Sequence, residues 1–439
     1  MMGASSVFVS CLANLYSFSG NTIYDNGASI TYLLYSGIKQ GLPLSPYLFL
    51  FYIDDVFAYL ESYFSGGNNL LEDLHILIHA DDANLIALSK DLMIKKLRRM
   101  LDYCNINSII LQLIKCHFTV INGSEEDYES LLLSPQDSVS VGYQPHLEIL
   151  GSHISGCVPT DLLLHMKKRF PNVIKYFNYV RSNDVAPVVV KLQVLEGCVA
   201  STLCYNCEAF GPDIPKGLEE VYMKMLRAAL GVRHNAPKNT VLIESGCLPL
   251  KAVIHARQLK FFRRFKKSIA SNSVREKIFN FLLENSTRYL KHYVKLDTKY
   301  TSDTQLFSDY VDEVKKNIRD LASNKEKHYK FWVYTQINPD LVVSPFLSRM
   351  DVVGKSIIKF RLGAHKLKIE SGRWTNTPRE LRLCSTCNQL EDEFHIIFDC
   401  VNIHRADLTE IPSRSLAALW IYGNANTLFS RIRTAEYVS

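Results

Sequence analysis

The sequence predicts an α+β chain in which strands and helices alternate through the first third and helices dominate the remainder. Three observations carry that expectation. Leu74-His-Ile-Leu-Ile-His-Ala-Asp81-Asp82-Ala-Asn-Leu-Ile-Ala-Leu places two short apolar runs on either side of adjacent carboxylates, the pattern of a β-hairpin. From about residue 160 to 270, apolar residues recur at helical spacing. Cys384-Ser-Thr-Cys387, followed by His395 and Cys400, ends this pattern in a compact Cys/His cluster.

In chain order, a helix is expected near Val7 to Ser17. Asp25-Asn26-Gly27 then supplies the positive φ angles of a turn between two strands. Gly37-Ile-Lys-Gln40-Gly41-Leu-Pro43-Leu-Ser45-Pro46 reads as a loop, with Pro46 opening a helix through Tyr-Leu-Phe-Leu-Phe-Tyr-Ile. The aspartate hairpin follows, and after it an amphipathic helix near Lys90 to Cys104. Further helices are expected over Leu162 to Tyr179, Val188 to Glu208, Gly217 to Leu230 and Leu250 to Lys267, with Leu230-Gly231 as a helix stop. The stretch from about 275 to 370 is helical and lysine-rich, and carries no recognisable chemistry.

Adjacent aspartates in a turn have a plain reading, because Asp bonds readily to its own backbone there. They have a chemical one too. A hairpin tip can present neighbouring carboxylates to hard cations, and a pair of Mg²⁺ ions can stabilise both the attacking and the leaving oxygen of a phosphoryl transfer.

Taken together, Gln40-Gly41-Leu-Pro43-Leu-Ser45-Pro46 and Ala80-Asp81-Asp82 resemble motifs B and C of the reverse transcriptases of non-LTR (LINE-type) retrotransposons. The resemblance continues in family order. Gln112-Leu-Ile-Lys115 is similar to the motif D region, with Gln112 where the family usually has Asn. His146-Leu-Glu-Ile149-Leu150-Gly151 is similar to the primer grip, with Ile149 in place of an aromatic residue. The resemblance implies RNA-directed DNA synthesis. Asp81 and Asp82 would hold Mg²⁺, Gln40 and Gly41 would line the nucleotide pocket, and Lys115 would contact phosphate or donate a proton. RNA template, DNA primer or target, and dNTP would be the partners. Tyr52-Ile-Asp54-Asp55 spells a polymerase box more closely than His79-Ala-Asp81-Asp82 does, but it continues a helix, so Asp54 and Asp55 are given a structural role.

In the same family a third metal-binding carboxylate, in motif A, lies farther upstream of the Gln-Gly turn than the thirty-nine residues that precede Gln40 here. Asp25 is too close to that turn to supply it. The expectation is therefore an N-terminally truncated enzyme, weak or inactive, because two carboxylates offset only part of the repulsion between two divalent ions. The alternative is a non-catalytic RNA- or DNA-binding protein.

Cys384, Cys387, His395 and Cys400 can close a tetrahedral Zn²⁺ shell of three thiolates and one imidazole, a closed site suited to structure. The flanking Arg361-Leu-Gly-Ala-His365-Lys-Leu-Lys-Ile-Glu370-Ser-Gly372-Arg373 and Pro378-Arg-Glu-Leu-Arg382-Leu resemble the CCHC region downstream of LINE-type reverse transcriptases. Arg257, Lys260, Arg263, Arg264, Lys266 and Lys267 are interleaved with three phenylalanines, a pattern that suits either a solvated helix face or a phosphate backbone.

With the resemblance, the expected organisation is a partial polymerase palm at 1–155, a helical thumb at 156–270, a helical linker at 271–370, and a small zinc knuckle with a tail at 371–439. At 439 residues, 47% hydrophobic and 21% charged, the composition is that of globular material. A net charge of +6 permits nucleic-acid binding without requiring it. No run is long and apolar enough to span a bilayer, and no secretory leader opens the chain. Cys204-x2-Cys207 has no partner pair nearby and reads as core packing. The cysteines outside the cluster lack disulfide spacing, which fits reduced thiols in the nucleus or cytoplasm of a protein that is not secreted.

Overall fold

The computed structural model describes residues 5–17, 20–33, 37–38, 42–64, 74–123, 130–134, 139–155, 158–183, 185–270, 273–285, 287–349 and 352–401. The chain divides into two compact units, Met1–Leu147 and Glu148–Ser439. None of the described helices is long and apolar enough to cross a membrane.

In the first unit α1 (Ser6–Tyr16) starts where the Ser5 hydroxyl accepts from the Phe8 amide at 3.2 Å. β1 (Gly20–Asp25) and β2 (Ala28–Leu33) form an antiparallel hairpin in which Asp25 faces Ala28. Asn26 and Gly27 both have positive φ (46° and 85°), the type I′ pattern that matches the twist of its strands. Pro46 lies in the first turn of α2 (Ser45–Tyr52), where a missing amide N–H costs nothing. Ile53–Asp55 forms a turn before α3 (Val56–Phe64). Asp54 and Asp55 thus stand between two helices, and Asp55 accepts a 2.5 Å hydrogen bond from the Tyr103 hydroxyl.

β3 (Ile76–His79) and β4 (Asp82–Leu85) pair antiparallel across the turn of Ala80 and Asp81. The next helix, α4 (Lys90–Ile106), starts at Ser89, whose hydroxyl accepts from the Leu92 amide. Two small cores flank α4. Tyr103 packs with Val56, Leu60 and Ile76, and Leu97 packs with Phe118, Leu131, Leu133 and Val141. The latter residues lie on a three-stranded sheet of order β5-β7-β6: β5 (His117–Phe118), β6 (Leu131–Ser134) and β7 (Val139–Tyr143), with β5 parallel and β6 antiparallel to the central strand.

At the boundary between the units, β8 (Leu147–Ile149) and β9 (Ser152–Ile154) form a tight hairpin around Leu150-Gly151, both with positive φ. In the second unit helices follow: α5 (Val158–Ser182), α6 (Val188–Val194), α7 (Lys216–Ala229), α8 (Lys238–Ser245) and α9 (Leu250–Lys267). Then come α10 (Val274–Glu284), α11 (Arg288–Lys299), α12 (Asp303–Ala322), α13 (Tyr329–Ile337), α14 (Val352–Arg361) and α15 (Lys368–Trp374). The helix expected over Val188 to Glu208 is not continuous. A π-helical segment at Leu195–Ala200 interrupts it, and Asn206, in the left-handed region at φ 54°, ends it. Gly231 (φ 67°) stops α7 where the Leu-Gly pair predicts.

The principal core of this unit runs through Val173, Leu226, Ile254, Val333, Ile357 and Phe398 to Cys400, so lines drawn at 270 and 370 cross it without dividing it.

Candidate functional site

At the aspartate hairpin, His79 faces Asp82 across a two-residue turn. Ala80 takes φ 52°, whereas Asp81 has no positive φ, the distribution of a type II′ turn that normally calls for glycine first. A non-glycine residue there costs about 1–3 kcal/mol. Asp81 lies in the turn and Asp82 opens β4, and both are exposed. The hairpin's base is fixed by two contacts: the Ile86 amide donates to the His75 carbonyl at 2.9 Å, and the Lys96 ammonium donates to the Ile86 carbonyl at 2.6 Å. Lys96 has no exposed surface, and burial pushes its pKa down. Nothing in Lys95-Lys96, which reads as a solvated pair, signals that role.

Gln40 and Gly41 lie outside the described residues, as does the C-terminal tail beyond Val401. Beside them, Gly37 has φ 83°, and Ser45, buried at the start of α2, lies 3.2 Å from the Tyr16 hydroxyl. Lys115 is exposed and stands on a separate element, a single 3₁₀ turn (Leu113–Lys115) that leads into β5.

The second constellation lies in the other unit. The ligand atoms of Cys384, Cys387, His395 and Cys400 all fall within 4.8 Å of one another. The Cys400 Sγ is 4.0 Å from that of Cys384 and 3.9 Å from that of Cys387. Thiolates bonded to one tetrahedral zinc at about 2.3 Å would stand about 3.8 Å apart. Both ring nitrogens of His395 are buried without a hydrogen-bond partner, an unfavourable state that a metal bond to one of them relieves. Burial raises the Cys384 thiol's pKa, but the Cys387 and Thr386 amides and the neighbouring sulfurs outweigh it and bring the pKa below its ordinary value. This donor set fits a zinc ion.

Local structure accounts for the cluster. The Cys384 amide donates to the Gln389 carbonyl at 2.7 Å and the Asn388 amide to the Cys384 carbonyl at 3.0 Å, with Asn388 at φ 51°, closing the loop that carries Cys384 and Cys387. Asp392 accepts from the His395 amide at 2.8 Å and starts the short helical segment His395–Asp399. The flanking motif residues hold this loop. His365 meets Glu393 at 2.9 Å, Glu370 meets Lys330 and Arg373, and Arg382 donates to the Thr377 and Ile369 carbonyls. Cys204 and Cys207 are buried in the principal core, and no disulfide joins any of the described cysteines.

On α9 the six cations divide. Arg257 donates to the Cys204 carbonyl at 3.1 Å, and Arg263 and Lys266 converge on Asp297 at 2.8 and 2.9 Å. Arg263 also reaches the Thr301 carbonyl. Lys260, Arg264 and Lys267 are exposed, and their spacing places them on one helical face.

Residues 4–154 match the family model of reverse transcriptase (RNA-dependent DNA polymerase). The matched segment contains the aspartate hairpin, Lys115 and the β8–β9 hairpin. A reverse transcriptase domain implies template-directed DNA synthesis in general, with nucleic-acid template and primer and dNTP as partners; its family generally uses Mg²⁺. No curated protein matches the chain.

Proposed function

We propose that this chain is a reverse transcriptase of the LINE type, with its polymerase chemistry at the Asp81–Asp82 hairpin and a structural zinc knuckle at Cys384, Cys387, His395 and Cys400. The observation that carries the reading is the two-residue hairpin turn at Ala80-Asp81, which leaves two consecutive aspartates exposed at a strand tip within a segment matched to reverse transcriptases. Mg²⁺ bound by Asp81 and Asp82 would polarise the reacting phosphate and stabilise the leaving oxygen. Gln40 and Gly41 are assigned to the nucleotide pocket and Lys115 to a phosphate contact or proton transfer, on the motif resemblance. Zinc bound by three thiolates and one imidazole has no open position, so its role is to hold the loop.

Primer extension on a homopolymer template with Mg²⁺ tests the reading. Incorporation should vanish in Asp81→Ala/Asp82→Ala and persist in Asp54→Ala/Asp55→Ala. The reverse order would move the metal site to the turn between α2 and α3. No incorporation by the unaltered polypeptide with any divalent metal would count against polymerase chemistry at the hairpin.

The second reading, a nucleic-acid-binding protein without catalysis, draws on the exposed Lys260, Arg264 and Lys267 face of α9. Strand binding together with no incorporation under any metal would favour it.

A further inference from the structure

In the Glu148–Ser439 unit, a cavity of about 400 Å³ lies between α8, α12 and the segment 341–343 that follows α13. Its wall is apolar: Leu242 and Ile243 come from α8, Val311 and Val314 from α12, and Leu341 and Val343 from the segment. One charge enters it. Lys315, partly buried on α12, is the only charged side chain in the described lining, and its ammonium makes no ion pair or hydrogen bond with any described residue.

Hydrogen bonds hold the cavity open. Asn338, itself buried, accepts from the Val342 amide at 3.1 Å and donates to the Val342 carbonyl at 2.8 Å, and the Ser344 amide donates to the Glu244 carbonyl at 3.0 Å. These bonds pin the segment on both sides of Val343, so it is not free to collapse onto α8 and α12. Gly246, at φ 73°, lets it approach the end of α8: a Cβ added there would stand 2.9 Å from the Val343 Cγ2. Val342 and Val343 still remain 51% and 50% exposed. Water in such a space finds few polar partners, and the methyl groups that line it gain by being covered.

An occupant that covers this wall and neutralises Lys315 has an apolar body and a single anionic end. At about 30 Å³ for each water-sized unit, the cavity holds on the order of a dozen of them, the scale of a small molecule. A polyanion would leave most of its charge against hydrocarbon, facing one ammonium. We propose that this cavity binds a medium-chain fatty carboxylate, with its tail along Val311, Val314 and Val343 and its carboxylate on Lys315. Neither the aspartate hairpin nor the Cys/His cluster takes part in it.

The test is calorimetric titration of octanoate into the full chain at low salt, with octan-1-ol as the uncharged analogue. Octanoate should bind at a single site with a negative heat-capacity change, the mark of apolar burial. Added salt should weaken octanoate and spare octanol. Lys315→Met keeps the stem and removes the charge, and should weaken octanoate about tenfold while leaving octanol unchanged. Val343→Asp sets a carboxylate at the half-exposed rim, and should abolish octanoate binding without lowering the melting temperature. No octanoate binding by the unaltered protein, or an affinity indifferent to salt, would overturn the proposal. So would equal loss of octanoate and octanol in Lys315→Met, or full octanoate affinity in Val343→Asp. Primer extension plays no part in these readouts, so failure of the aspartate hairpin as a catalyst leaves them interpretable.

Discussion

Arg361 reaches across 117 residues of sequence to grip Glu244 with two parallel hydrogen bonds, at 2.7 and 3.2 Å, and neither carboxylate nor guanidinium is significantly exposed. The Tyr334 hydroxyl adds a third bond to the same carboxylate at 3.0 Å, and Asn338 in turn donates to Tyr334. The pair ties α8 to α14, and so explains an arginine that opens the motif preceding the Cys/His cluster. Its charges gain from each other only because both are desolvated together. Removing Glu244 alone strands a buried cation, so Glu244→Leu should lower stability by about 3–5 kcal/mol in chemical denaturation. The double variant Glu244→Leu/Arg361→Met should recover most of that loss. Equal destabilisation by the single and double variants would show that packing, not charge, dominates this contact.

Acid should loosen the same unit through its buried histidines. Burial, with help from Arg169 and His153, holds His165 down at a pKa of about 4; burial and the neighbouring His292, Lys251 and Lys299 do the same for His255. The neutral His255 ring receives the Tyr310 hydroxyl at Nδ1, 2.7 Å away. His292 faces the Gln258 carbonyl oxygen, because the Gln258 amide nitrogen is committed to the Cys207 and Gly211 carbonyls. Between pH 6.5 and 4 the unfolded chain binds protons that the folded chain refuses, so stability falls as pH falls through that window. The slope is up to about 1.4 kcal/mol per pH unit for a fully buried ring such as His165. Thermal melts should therefore drop steeply between pH 6.5 and 4.5. His165→Gln should flatten part of that slope, and a flat profile in the unaltered protein would contradict the assignment.

What the sequence made readable was local. Alternation of short apolar runs around Asp81-Asp82 marks a hairpin whatever the rest of the chain does, and Leu250–Lys267 forms a helix over the same residues that its spacing predicts. The Cys/His cluster was equally legible, because ligand spacing on a closed loop nearly fixes the distances. Long-range partners were not. That Asp297 would hold Arg263 and Lys266 could not be read from α9's own pattern, where all six cations look alike. Nor could the break at Leu195–Ala200, in a stretch whose apolar spacing continues undisturbed through the π-helical turn. The parallel pairing of β5 with β7 depends on a return of the chain that no local period encodes.

Lys96 gives the hairpin a testable anchor. Its ammonium satisfies the Ile86 carbonyl and lies 5.9 Å from the Phe64 ring centroid, with the stem packed in the first unit. Lys96→Met keeps the stem's volume and removes the donor, leaving a buried carbonyl that costs about 1–3 kcal/mol. Amide hydrogen exchange in β3 and β4 should accelerate by about five- to a hundredfold, while amides of α8 and α9 in the other unit stay unchanged. Unaltered exchange at Leu77 and Ile86 would remove Lys96 from the support of the aspartate tip.

The proposed zinc knuckle makes the last prediction, and separates a metal site from a mere cluster of thiols. Sulfur atoms 3.9 and 4.0 Å apart are too distant for a disulfide and close to what one tetrahedral ion imposes. With the ion in place, Cys384, Cys387 and Cys400 are thiolates, and one nitrogen of His395 gains the partner it lacks. Elemental analysis of the purified full chain should find about one zinc per polypeptide, and Cys384→Ser should lose it. Strong chelator should lower the melting temperature of the Glu148–Ser439 unit, because Cys384, Phe398 and Cys400 belong to its principal core. Added Zn²⁺ should restore it, whereas Mg²⁺, which prefers oxygen ligands, should not. Since metal binding displaces thiol protons, affinity should fall as pH drops below about 6. A zinc-free protein with an unchanged melt in chelator would reduce the four residues to ordinary core packing.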